Sequence, residues 1–132
     1  MARAERRRIT SGGPYETRYG YSRALVVDHA CWVSGTTDAG PDGRSLHPAD
    51  AGGQTQAILD IIEAALHEAG FARADVVRVR IYTTAMRHSP AILAVIGERL
   101  GSVGPAATIV EVRALIDKSL LVEIEVDAVR DA

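Results

Sequence analysis

The side chains best placed to do chemistry in this sequence are acidic. Towards the C-terminus Glu111, Arg113, Glu123, Glu125 and Asp127 alternate with apolar residues. Alternation with a period of two is the signature of a strand and puts such side chains on a shared face. A face carrying four acids and one arginine has two readings. It is either the solvated side of an antiparallel hairpin, or the wall of a cleft or subunit interface where cations from elsewhere answer the carboxylates. Other chemistries have less behind them. His29, His47, His67 and His88 lack the spacing of a metal site, so no metal is implied, and His29 and His88 read as turn or cap residues. Cys31, the only cysteine, lies in the apolar run Ala30–Val33 and reads as a buried structural thiol. Ser34 stands in Val-Ser-Gly, without the Gly-x-Ser-x-Gly elbow that exposes a nucleophile. Gly12-Gly13 and Gly52-Gly53 lack the spacing of a phosphate or dinucleotide loop, and no cofactor is implied.

The elements that must position these groups follow from periodicity and punctuation. Gly104 to Arg130 reads as a hairpin. Thr108, Val110, Val112 and Ala114 alternate with Ile109, Glu111, Arg113 and Leu115, then Val122, Ile124, Val126 and Ala128 alternate with the acids, and Ile116–Ser119 form the turn. Upstream, the arginines Arg3, Arg6, Arg7 and Arg8 form a solvated tail leading into a first short strand. Ile9 to Tyr21 reads as a loop around Gly12-Gly13-Pro14. Ser22–Val27 and His29–Ser34 are short strands joined by a tight Asp28-His29 turn, and Gly35–Pro48 has the composition of an exposed loop. Ala51–Ala69 carries apolar residues at helical spacing, with Asp50 as N-cap and Gly70 as stop. Asp75–Thr84 alternates again, setting Val77, Val79 and Ile81 against Arg78, Arg80, Tyr82 and Thr84. Ser89-Pro90 then caps a second helix that runs to Gly101. The order predicts an α+β domain spanning residues 1–132, a mixed β-sheet with two helices packed on one face. Arg78 and Arg80 are the natural partners of the acids on the opposite face.

Composition narrows the partners. A net charge of −2 with 5% aromatic residues argues against a nucleic-acid surface. No apolar run approaches the length of a membrane span, and a lone cysteine suits a reducing compartment, so the chain reads as soluble and cytoplasmic.

Pro105–Val129, taken with Gly-Tyr-Ser-Arg-Ala (20–24) and Trp-Val-Ser-Gly-Thr-Thr (32–37), resembles the RidA/YjgF family of enamine and imine deaminases, in order and spacing from about Gly20 to Val129. The resemblance implies the RidA, chorismate-mutase-like fold and a homotrimer that buries the open sheet face, with small-molecule ligands in clefts between subunits. It also implies hydrolysis of a C=N bond, in which a glutamate of the last strand positions the attacking water. Glu123 matches that glutamate, and Tyr21 and Ser34 match the family's cleft-lining tyrosine and serine. Three positions depart from the pattern. Ala107 stands where the family has an arginine that clamps the substrate carboxylate, Ile109 where it has a cysteine, and Leu93 where it has an asparagine. The resemblance is therefore to a branch without the clamp, with Ala107, Ile109 and Leu93 as a more apolar lining. Rescue of the missing charge would have to come from another subunit or from a loop arginine such as Arg18. One reading is a hydrolase acting on an enamine, an imine or a related reactive metabolite. The alternative is a non-catalytic small-molecule-binding or regulatory trimer, in which Glu123 belongs to an interface salt-bridge network. Ribonuclease activity, a label attached to the family, conflicts with the acidic balance.

Overall fold

The structure, a computed structural model, describes residues 3–131. Its elements are β1 (Arg6–Ile9), α1 (Pro14–Tyr19), β2 (Ala24–Val27), β3 (Ala30–Thr36), α2 (Ala51–Glu68), β4 (Val76–Thr83), α3 (Ser89–Leu100), β5 (Ala106–Glu111) and β6 (Val122–Val129). The strands form one six-stranded sheet in the order β1-β2-β3-β6-β4-β5, antiparallel except where β4 meets β5. The α+β class and the mixed sheet match expectation.

The helices begin and end where local chemistry dictates. Asp50 accepts a hydrogen bond from the Gly53 amide at 2.8 Å and caps α2, and Gly70 leaves the helix at φ 85°. Ile58, Leu59, Ile62 and Leu66 of α2, with Ile92 and Leu100 of α3, are buried with Val79 and Ile81 of β4 and Val122, Ile124 and Val126 of β6 in one core. Cys31 is fully buried there, and burial pushes its thiol up to about 11, opposed by Arg7 and Arg130. It is the inert thiol expected.

Five expectations need correction. The stretch 104–130 is not a hairpin: β4 lies between β5 and β6, and β5 runs parallel to β4 after the α3 crossover. Ile116–Ser119 belongs to a longer loop in which the Ser119 amide and hydroxyl both donate to Asp117. The second correction follows. Glu111 shares the parity of Ile109, which packs against the core, so it faces the helices and accepts from the Met86 amide at 2.9 Å; Arg113 lies beyond the strand. The acids of the open face are therefore Glu123, Glu125 and Asp127.

Thirdly, Val77 does not line up with Val79 and Ile81. A register shift between Val76 and Arg78 turns it outwards, and it is exposed. Fourthly, residues 14–19 are helical, because Pro14 at the first position pre-sets φ and Gly20, at φ 76°, ends the turn. Lastly, Ser89 is the first residue of α3 rather than its cap, and its hydroxyl donates back to the Met86 carbonyl at 2.7 Å.

Candidate functional site

Glu123 sits in the middle of the sheet, on β6 opposite Tyr82 of β4, on the face away from α2 and α3. On its other side the β3–β6 register slips between Val33 and Thr36, and this bulge brings Gly35 against the Glu123 carboxylate. A Cβ at Gly35 would fall inside the van der Waals envelope of Glu123 Oε2, so the glycine is what lets the carboxylate lie where it does.

The carboxylates of the face have different surroundings. Glu125 accepts from the Tyr82 hydroxyl, and Asp127 pairs with Arg80 at 3.4 Å. Among the described residues Glu123 has neither kind of partner. Burial raises its pKa above the usual glutamate range, Arg23 opposes that shift, and Glu125 adds to it. A carboxyl that is short of solvent, free of structural bonds and raised in pKa has the properties of a proton-transfer group.

Glu123 lines a cavity of about 410 Å³ together with Tyr21, Arg23, Gly35, Glu16 and Ile116. Arg23 precedes β2 and is held by the strand beside it. Its carbonyl accepts from the Ser34 amide at 2.9 Å, and its Nη2 donates to the Gly35 carbonyl at 2.5 Å. Its guanidinium lies 5.9 Å from the centre of the Tyr21 ring. Glu16, on α1, is buried and accepts from the Ser11 amide at 3.0 Å and from the Ser11 hydroxyl.

The residues proposed from sequence thus fall into two groups. Glu123 and Tyr21 share the cavity. Ser34 lies next to it, lining with Tyr21 a second depression on the open face, while its hydroxyl donates to the Ser22 carbonyl at 2.7 Å. Leu93, Ala107 and Ile109 are elsewhere. Ala107 and Ile109 pair with Val79 and Ile81 and so face the helix side of edge strand β5, and Leu93 is exposed on α3. One chain does not bring these three to Glu123. Arg23, Glu16 and Gly35 were missed as site residues. Arg23 and Gly35 stand within the quoted sequence blocks, but only the bulge and the turn of α1 reveal that they converge. Among the described residues no cluster of His, Cys, Asp or Glu could hold a metal ion, and no helix is long and apolar enough to cross a membrane.

Known proteins share this fold. The sequence model of the family described as endoribonuclease L-PSP matches residues 14–130. The crystal structure of a YjgF/YER057c/UK114 family member from Mycobacterium tuberculosis is 40% identical and superposes with a TM-score of 0.86, covering 96% of this chain and 100% of that one. A protein of the Rid family from Yersinia pestis, described as of unknown function, is 30% identical with a TM-score of 0.80 over 96% of this chain and 100% of its own. A RutC family protein of Pyrococcus abyssi is 32% identical over 111 residues, 84% of this chain and 87% of that protein.

Proposed function

We propose that this chain, which belongs to the endoribonuclease L-PSP family, also named YjgF or Rid, hydrolyses the C=N bond of an imine formed from an enamine or a related reactive metabolite. The observation that carries this reading is Glu123, a carboxyl without a structural partner, raised in pKa by burial, in a cavity beside Tyr21 and Gly35.

An enamine first tautomerises to its imine. A water held by the Glu123 carboxylate then attacks the imine carbon, and Glu123 takes one of its protons. The resulting carbinolamine carries a new C–O bond. Glu123 delivers that first proton to nitrogen and then relays the hydroxyl proton to it as well, so that the C–N bond breaks with ammonia leaving and the oxygen, freed of its proton, becomes the carbonyl of the product. A carboxyl whose pKa burial raises suits a group that must both accept and return a proton.

In this reading Leu93, Ala107 and Ile109 act from a second copy, whose β5 edge and α3 close the cleft over the Glu123 cavity. Their position away from Glu123 within one chain is what a site shared between copies requires. Ammonia release from a panel of enamines and imines tests the proposal. Wild type should release ammonia faster than the uncatalysed reaction and Glu123→Gln should not. Equal release by the two would remove Glu123 from the chemistry.

A further inference from the structure

We propose that Glu16 is a positioning residue: paired with Arg23, it latches α1 as a lid over the Glu123 cavity. The inference rests on the hydrolytic reading for the chemistry that the lid encloses, and on the following geometry for the latch.

α1 has six residues and adds no side chain to the hydrophobic core. So short a helix is not stable alone and is ordinarily held by an apolar face. The one residue that α1 buries is instead a carboxylate, Glu16, at 4% exposure. It accepts from the Ser11 amide at 3.0 Å and from the Ser11 hydroxyl, and Nη1 of Arg23, whose side chain is only 11% exposed, faces it at 3.9 Å. Tyr15 reaches to the 37–50 loop, where its hydroxyl lies against Gly43. Tyr15, Glu16 and Tyr19 thereby line the cavity together with Gly35, Thr37 and Glu123.

Three features let this helix move as a unit. Gly12 and Gly20 flank it at φ 73° and 76°, with no atom within 4 Å of where a Cβ would stand. Two further depressions adjoin the segment, one of about 450 Å³ beside Thr10, Thr17 and Gly20 and one of about 360 Å³ beside Ser11. The contact that closes it is ionic. Desolvation offsets much of the attraction in a buried ion pair, so withdrawing Glu16 returns both charges to water at a small net cost. A closed lid keeps the substrate beside Glu123 and bulk water out, and an open one lets the product leave. Arg23 serves as the anchor, spent on Glu16 and on the Gly35 carbonyl at 2.5 Å, which ties the latch to the bulge beside Glu123. Arg18, the arginine that the sequence suggested as a rescue, lies on α1 with its guanidinium 5.3 Å from the centre of the Tyr19 ring, and it does not line the cavity.

The test places a reporter thiol in the cavity, Thr37→Cys, and follows its alkylation by N-ethylmaleimide with mass spectrometry. Cys31 is fully buried with its thiol pushed up to about 11, so the chain without the reporter gives the background rate. Glu16→Gln keeps the shape and can still accept from Ser11 but drops the charge, and it should raise the alkylation rate at least tenfold. Its melting temperature should change little, because α1 adds nothing to the core. Arg23→Gln should also speed labelling, and the double variant should label no faster than the faster single one, since both break one contact. Without the reporter, Glu16→Gln should lower kcat/KM for an imine mainly through KM, because substrate escapes more readily from a cavity that opens more often. Unchanged alkylation in Glu16→Gln, a rise accounted for by a lower melting temperature, or multiplicative effects of the two substitutions would overturn the proposal. If Arg23→Gln does not fold, the rate and melting temperature of Glu16→Gln decide alone. The two readings fail separately. Charge-dependent labelling without ammonia release removes the hydrolysis and keeps the latch, whereas ammonia release by a chain whose labelling ignores Glu16 does the reverse.

Discussion

Glu123 and Gly35 work as a pair, and each makes a distinct prediction. A carboxyl whose pKa is higher in the folded than in the unfolded chain lowers stability above its folded pKa and has no effect below its unfolded value. Glu123 is such a group. Glu123→Gln should therefore unfold at the same or a higher temperature than wild type at pH 7, with any advantage vanishing below about pH 4. Turnover of an imine substrate should nevertheless fall steeply in the same variant. Calorimetry across pH, set beside ammonia release, checks both. A variant that loses stability at pH 7 and keeps its turnover would make Glu123 a structural ion. Gly35→Ala puts a methyl group where the Glu123 carboxylate lies, and the side chain can swing away while the backbone stays. Thermal stability should change little, and kcat should fall by about a hundredfold, the effect of misplacing a reacting group by an ångström.

At this scale the sequence was partly legible. Glu123 and Tyr21 were named from the family resemblance, and they line one cavity. Arg23 was not found. Its place in the cavity depends on the bulge at Gly35, whose carbonyl it donates to, and on the turn of α1 that carries Glu16 to it.

Between elements, the connection that holds the site's surroundings together is a single buried glutamine of α2. Gln54 accepts from the Leu121 amide at 2.8 Å and donates to the carbonyls of His47 at 3.1 Å and Ser119 at 3.0 Å. It thus ties the 37–50 loop to the loop that leads into β6, while the Ser119 hydroxyl accepts from the Ser45 amide at 2.9 Å. Gln54→Leu removes those bonds and leaves three backbone groups to find other partners. The expected loss is about 3 kcal/mol, at the upper end for a buried unsatisfied group, read as a lower urea midpoint with an unchanged m-value. A midpoint equal to wild type would mean that water replaces the glutamine at no cost.

The two long helices were legible because their apolar spacing and caps are local features. The hairpin reading failed for a different reason. Alternation says which face a residue occupies and says nothing of which strand lies beside it, so β4 could enter between β5 and β6 without disturbing the pattern in either. The face assignment for β5 failed with it, because Glu111 on the parity of Ile109 is accommodated at a sheet edge, where its carboxylate reaches the Met86 amide.

For the whole molecule, the unpaired face of the sheet decides the last prediction. Part of the charge there is answered within the chain: Arg80 meets Asp127, the kind of partner expected of it, and Tyr82 meets Glu125. The face also exposes apolar surface. Trp32 is 46% exposed in the middle of β3, next to Leu25 of β2, in a depression of about 840 Å³ that also holds Arg6, Arg8 and Arg80. A large exposed aromatic ringed by charged groups of both signs, Glu125 and Asp127 as well as the arginines, is the composition of an interface centre with its rim. A threefold closure that set β5 and α3 of one copy against the Glu123 cavity of the next, as the proposed function requires, would join the two halves of the site that one chain holds apart. Light scattering should therefore give a mass three times the 14.1 kDa of the chain. Trp32→Glu, which puts a charge at the centre of the buried patch, should shift the mass to that of the monomer while the fold, read by circular dichroism, persists. The monomer should lose ammonia release, since Leu93, Ala107 and Ile109 would no longer cover the cleft. A wild-type monomer at micromolar concentration, or a Trp32→Glu monomer with full turnover, would show that each chain carries a complete site.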